Sequence, residues 1–356
     1  MGELRVGRQR VPASDSVAEG LRILTICNAC RYCEGYCAVF PALEKTLSLN
    51  AKDLDYLANL CHNCAECYYA CQYAPPHEFA VNVPQVLAKS RLESYEEHAR
   101  PRWMAPLFRN SWRVAGAVIV LSLLMGIARF PFPRGATFYD VVPHGVMVGV
   151  FGLAAVLIAA ALVASLRGFP GLSGVSLRGV AHGLGSILTL EYLSSGGAGC
   201  TYPDSRHSQA RRWSHHFTFY GFLLCVASTT VAAFYHYVLG RRAPYPVLSI
   251  PVILGTLGGL GLLIGTTGLY WLKRRRDPAI ADTRQDSLDS TFLALLFASS
   301  VTGLLLLARR GSASMPALLV IHLAVVLGLF VTLPYGKFVH GLYRAAALLR
   351  FAMERE

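Results

Sequence analysis

The sequence predicts an all-α protein in two parts, a helical cysteine-rich module over residues 1–99 and a bundle of six membrane-spanning helices over 100–356. Three observations predict it. Of the 356 residues 54% are hydrophobic and 15% charged, against roughly 25% charged in soluble chains, and the mean hydropathy is +0.42. The long apolar runs all fall in 112–334, and eight of the ten Cys fall in 1–110. That division excludes both a wholly soluble enzyme and a simple channel. The 33 Lys and Arg exceed the 21 Asp and Glu by 12. Most of them sit at the ends of apolar runs rather than among polar and aromatic residues on one face, so no nucleic-acid partner is expected.

Residues 1–20 contain no apolar central region and hence no signal peptide, which predicts a start on the cytoplasmic side. Residues 21–99 then form the soluble module. Ala51–Leu60 has the apolar spacing and acidic start of a short helix, residues 86–98 read as another, and little alternates with a period of two. Within the module Cys27, Cys30, Cys33 and Cys37 form C-x2-C-x2-C-x3-C, and Cys61, Cys64, Cys67 and Cys71 repeat it after 23 intervening residues. Three thiolates at this spacing wrap one cube from a tight loop. In two-cluster ferredoxins the fourth Cys of each run ligates the other cluster. By that rule Cys27, Cys30, Cys33 and Cys71 hold one [4Fe–4S] cluster, and Cys61, Cys64, Cys67 and Cys37 hold the second. Disulfides are disfavoured on the cytoplasmic side, and structural zinc prefers two separated pairs of ligands. The Pro that usually follows the fourth Cys is replaced by Ala38 and Gln72.

Six apolar runs approach the roughly 20 residues needed to cross a bilayer: 112–130, 142–166, 213–239, 247–272, 288–308 and 315–333. Positive charge marks the cytoplasmic side. The termini and the even-numbered connections carry the larger clusters, among them Arg100, Arg102, Arg109, Arg211, Arg212, Lys273 to Arg276, Lys337 and Arg344. The odd-numbered connections carry only Arg129 with Arg134, Arg241 with Arg242, and Arg309 with Arg310. Six helices with both termini in the cytoplasm, in a bacterial-type inner membrane, satisfy this asymmetry. The longest internal connection, 167–212, reads as a loop containing Cys200; Cys225 reads as a small core residue of a spanning helix.

Ionisable residues in spanning helices are candidates for function, which singles out His144, His215, His216, His236, His322 and His340. His215 or His216 lies roughly 30 Å from His236 along the third helix, and His322 and His340 share a face about 27 Å apart if the sixth helix continues through both. Antiparallel packing then pairs His215 or His216 with His340 near the inner side and His236 with His322 near the outer side, His144 being the alternative outer partner. Each pair is suited to one b-type haem, giving one or two. Tyr220, His216 and Lys337, near the inner face, are candidates for binding a quinone.

Residues 28–44 (NACRYCEGYCAVFPALE), 56–84 (YLANLCHNCAECYYACQYAPPHEFAVNVP), 211–229 (RRWSHHFTFYGFLLCVAST) and 333–344 (LPYGKFVHGLYR) resemble the tricarballylate or citrate utilisation protein B family. The chain is also similar to the C-terminal half of a fused flavoprotein of cobalamin biosynthesis. The resemblance implies a membrane electron carrier whose partner is a separate FAD-dependent tricarballylate dehydrogenase. Such a carrier reoxidises the partner's flavin and delivers electrons to the quinone pool; the fused relative implies haem as well as clusters. No nucleotide-binding signature is present, which leaves the flavin on the partner. Two alternatives stand beside this reading: a membrane anchor or assembly subunit with structural or sensory clusters, and a tricarboxylate transporter. The spans have no charge at mid-depth and no inverted repeat, which disfavours transport.

Overall fold

The structure, a computed structural model, describes residues 15–46, 48–128, 137–169 and 176–355. Arg129, Arg134, the end of the first predicted span and most of residues 1–20 lie outside them. The module consists of α1 (Asp15–Cys30), α2 (Val39–Glu44), α3 (Ala51–Leu60), α4 (Glu66–Tyr69) and α5 (Val83–His98). Asn50 starts α3 with a capping box: its side chain accepts from the Lys52 and Asp53 amides, while Asp53 accepts from the Asn50 amide. Asn82 caps α5, and Pro84 in its first turn has no amide to leave unsatisfied. Leu24 of α1, Leu54 and Leu57 of α3, and Leu87 and Tyr95 of α5 are fully buried where the three helices meet.

Next come α6 (Ser111–Ile127), the short α7 (Phe138–Val141), α8 (His144–Leu166) and α9 (Leu177–Thr189). A two-stranded hairpin follows, β1 (Cys200–Thr201) against β2 (His207–Ser208). The chain closes with α10 (Ala210–Tyr237), α11 (Ile250–Arg275), α12 (Arg284–Arg309), α13 (Met315–Thr332) and α14 (Val339–Glu354). Five helices, α8 and α10 to α13, are long and apolar enough to cross a membrane. The first predicted span is shorter: α6 has 17 residues, about 25 Å of helix against a hydrocarbon core of roughly 30 Å. It nevertheless lies along α13, where Gly126 faces Val320 and Gly328 faces Ile119. The tightest crossing is α10 on α11, where glycines replace side chains; a Cβ on Gly221 would stand 2.7 Å from the Leu262 amide nitrogen.

Two expectations fail here. The sixth spanning helix does not continue to His340. α13 ends at Thr332, a 3-10 turn (Leu333–Tyr335) contains Pro334, and Gly336 is extended at φ −114° and ψ −168°. α14 then turns aside to pack on α3 and α9. Pro334 supplies no amide to continue the ladder, so the one-face relation between His322 and His340 is lost. The connection 167–212 is likewise more than a loop. It contains α9, whose Gly179 and Gly183 let Met353 and Leu349 of α14 approach, while Leu177, Leu184 and Leu188 remain exposed as an apolar face.

The module rests on one end of the bundle. Its core continues into Leu288, Tyr335, Tyr343, Ala347 and Phe351, and Tyr95 stacks on Tyr343 at 5.6 Å.

Candidate iron-sulfur and haem centres

α1 delivers Cys27 and Cys30 at its C-terminal end, and the chain then turns through Arg31, at φ +56°, to bring Cys33 back beneath them. The second run begins where α3 stops at Cys61, passes through Asn63 at φ +54° and Ala65 at φ +67°, and re-enters a helix at Glu66. Left-handed backbone at three non-glycine residues is costly and persists where surrounding structure demands it. Here it coils the chain around the sulfurs.

One cavity is lined by Cys27, Cys30, Cys33 and Cys71, with Cys67 at its edge and Phe40 and Val81 as apolar walls. Burial, and next the neighbouring Cys71, Cys33 and Cys30, push the Cys27 thiol up to about 12. Cys33 is likewise pushed up to about 12 by burial, then by Cys71 and Cys30. Burial raises Cys37 well above its usual value, with Cys64 and Cys61 its strongest thiol neighbours. Cys67 is raised by burial and then by Cys64, Cys37 and Cys61. The fourth Cys of each run therefore sits with the first three of the other. Among the described residues no three His, Cys, Asp or Glu side chains converge on one point as a single ion requires. The thiols surround a volume, as the corners of a cube demand.

Arginines form a collar around the second run. Arg91, buried in α5, donates to the carbonyls of Ala58 and Cys61, both at 2.8 Å. Arg211, at the start of α10, donates to Asn63 at 2.6 Å and to His62 at 2.8 Å. Arg344 of α14 donates to Cys61 at 2.6 Å and to Asn59 at 3.3 Å. Among the described residues none of the three forms an ion pair with a carboxylate. Burial, and then the charge of Arg91, work against the charged form of Arg344. Cations gathered in a shielded place without an anion are costly, and a four-thiolate cluster, a net anion, is the partner they fit. Charge placement along the sequence marks Arg211 and Arg344 only as residues of the inner side; their spacing of four from His215 and His340 is the signal that was overlooked. Cys200, fully buried, packs against Cys64 in the same region and donates to the Leu193 carbonyl at 3.0 Å.

The histidines are arranged differently from the expected pairs. At the inner end His215 lies within electrostatic reach of His340. His340 Nδ1 donates to the Lys337 carbonyl at 2.5 Å, which leaves Nε2 as a lone pair. Burial, then Lys337 and Arg344, hold His340 down to about 3, so its ring is neutral, as a metal ligand must be. His216 points elsewhere, stacked on Tyr220 beside the exposed Trp213. At the outer end His236 meets His144, not His322: their rings stack at 4.2 Å and 15°. Two rings sharing an axial iron need centroids roughly 6 Å apart, since each nitrogen must lie about 2 Å from the metal. The stacked pair leaves no such gap. His322 donates from Nδ1 to Thr302 Oγ1 at 2.9 Å and packs on Gly303, committed to α12. The quinone candidates are also apart. Tyr220 donates to the Leu188 carbonyl of α9 at 2.7 Å. Lys337 pairs with Asp289 at 2.7 Å, and burial lowers its ammonium to about 8 against the pull of that carboxylate.

Known proteins share this arrangement of cysteine module and apolar helices. Residues 20–97, which contain all eight cysteines of the two runs, match the Fer4-like domain of citrate utilization protein B, and residues 116–356 match citrate utilization protein B itself. The chain is 46% identical to citrate utilization protein B of Escherichia coli across 95% of its own length and 92% of that protein's. No solved structure matches it. A ferredoxin-like module seated on apolar helices, matched from end to end in this way, makes the chain a member of the citrate utilization protein B family.

Proposed function

We propose that the chain is a membrane electron carrier. It reoxidises the reduced FAD of a separate tricarballylate dehydrogenase-like flavoprotein and passes the electrons through two [4Fe–4S] clusters and one b-type haem to the quinone pool of a bacterial inner membrane, with both termini cytoplasmic. The observation that carries this reading is the stacking of two thiol sets on the inner end of an apolar bundle. One set reaches the surface at Cys30, and the other is strapped by Arg211 and Arg344 to the helices that bear His215 and His340. When bound, the clusters and haem supply one-electron steps, which unload a two-electron flavin in halves.

The residues have distinct tasks. Cys27, Cys30, Cys33 and Cys71 hold the outer cluster, and Cys37, Cys61, Cys64 and Cys67 the inner one. Phe40 and Val81 keep water from the first. The Lys337 carbonyl turns His340 so that Nε2 faces the metal, with His215 as the opposite ligand. Lys337 itself, near 8, is the group best suited to hold or release a proton close to a quinone, and Tyr220 lies on the lipid side of the same end.

Inverted membrane vesicles containing the chain, given reduced flavoprotein, are expected to reduce a quinone analogue, and Cys64→Ser to abolish most of that rate. Dithionite-reduced vesicles are expected to show a b-type α-band that His340→Ala removes. An unchanged rate in the Cys64→Ser vesicles overturns the proposal, and tricarboxylate uptake without the flavoprotein replaces it with transport.

A further inference from the structure

The two thiol sets do not share the same surroundings. The loop 61–67 receives hydrogen bonds from Arg91, Arg211 and Arg344, whereas the charged side chain acting on Cys33 of the other set is the anion Glu66. Backbone amides add to the difference: Val39 and Phe40 donate to the Cys37 sulfur, Glu66 to Cys64, and Asn63 to Cys61 at 3.3 Å. Reduction adds one negative charge to a centre that is already anionic. Neighbouring cations and N–H···S bonds therefore raise its potential, and a neighbouring carboxylate lowers it. Burial acts in the opposite sense on Cys61 and Cys64, because desolvation favours the less charged, oxidised form. The three guanidiniums are what outweighs it, and they remain charged at any working pH.

We propose that Arg91, Arg211 and Arg344 set the direction of electron transfer inside the module. They make the set Cys37, Cys61, Cys64 and Cys67 the acceptor of the pair and its outlet toward the membrane. One electron leaves the centre on Cys27, Cys30, Cys33 and Cys71, which is oxidised, and reduces the centre inside the collar; no proton is required. Arg211 and Arg344 stand one helical turn from His215 and His340, so the residues that draw the electron inward belong to the segments that present its next acceptor. This inference rests on the two-cluster reading above.

The test is a redox titration of the purified full-length chain followed by electron paramagnetic resonance, with iron and sulfide counted in each preparation. Two signals are expected, the lower-potential one altered by Cys30→Ser. Arg211→Gln and Arg344→Gln, on separate helices, are each expected to weaken reduction of the higher-potential centre by about tenfold, which is 59 mV for one electron, and to leave the other in place. Arg211→Lys, which keeps the charge, is expected to shift it far less. Equal potentials, an inverted order, or Gln variants that leave the upper potential unmoved overturn the ordering while the relay stands. A preparation holding a single cluster overturns both.

Discussion

Asp289 shows how much a single carboxylate can hold. It lies between Lys337 at 2.7 Å and Lys273 at 3.1 Å, and all three side chains are less than a fifth exposed. Asp289→Asn leaves Lys273 its second partner, Asp286, but leaves Lys337 as a shielded ammonium with no anion. Loss of one partner of a buried pair costs about 3–5 kcal/mol. Thermal unfolding of the solubilised protein should show that loss, and Lys337→Gln in the same chain should restore most of it. At this scale the sequence is legible where chemistry imposes spacing: eight cysteines in two runs announce their use. It is silent where partners come from distant segments. Arg91, Arg211 and Arg344 meet one loop from three helices, and no interval along the chain predicts that. His144 and His236 fail for the same reason, since a depth in the membrane can be counted but a facing direction cannot.

Helix pairing at the scale of elements is governed by small residues. A Cβ on Gly265 of α11 would stand 2.5 Å from the Thr218 amide nitrogen of α10, backbone that cannot swing aside. Gly265→Ala should therefore cost about 1–3 kcal/mol, whereas Gly149→Ala in α8, with open space around it, should be neutral. Comparing apparent Tm in detergent separates the two, and loss of the α10 to α11 contact should also displace Arg211 from the cysteine loop. Hydropathy reveals α8 and α10 to α13 because long apolar runs are hard to mistake. It hides α9, whose Gly179, Gly183 and Gly185 lower its helical propensity even though two of them admit α14. It also overextends the last span, because one proline and one glycine outweigh an apolar pattern that otherwise continues.

Across the whole molecule the two ends differ in kind. One gathers the module, the α9 to α14 pair and most of the buried charge. The other carries Tyr139, His144, His236 and Tyr245, where Arg310 donates to the Tyr245 carbonyl at 2.5 Å. A periplasmic reporter fused after Arg242 should therefore be active and one fused after Arg355 inactive; the reverse pattern would invert the topology. The seat of the module has a mechanical corollary. Tyr56 donates to Glu354 at 3.0 Å under the Arg350 guanidinium, Asn82 to Ala279 at 2.7 Å, and Tyr69 to Asp277 at 3.0 Å. These ties reach the C-terminal helix and the α11 to α12 connection, hundreds of residues from the peptide that joins module to bundle. Its position is thus held by a clasp rather than a tether, so tunnelling distances from thiol sets to imidazoles stay constant while the flavoprotein comes and goes.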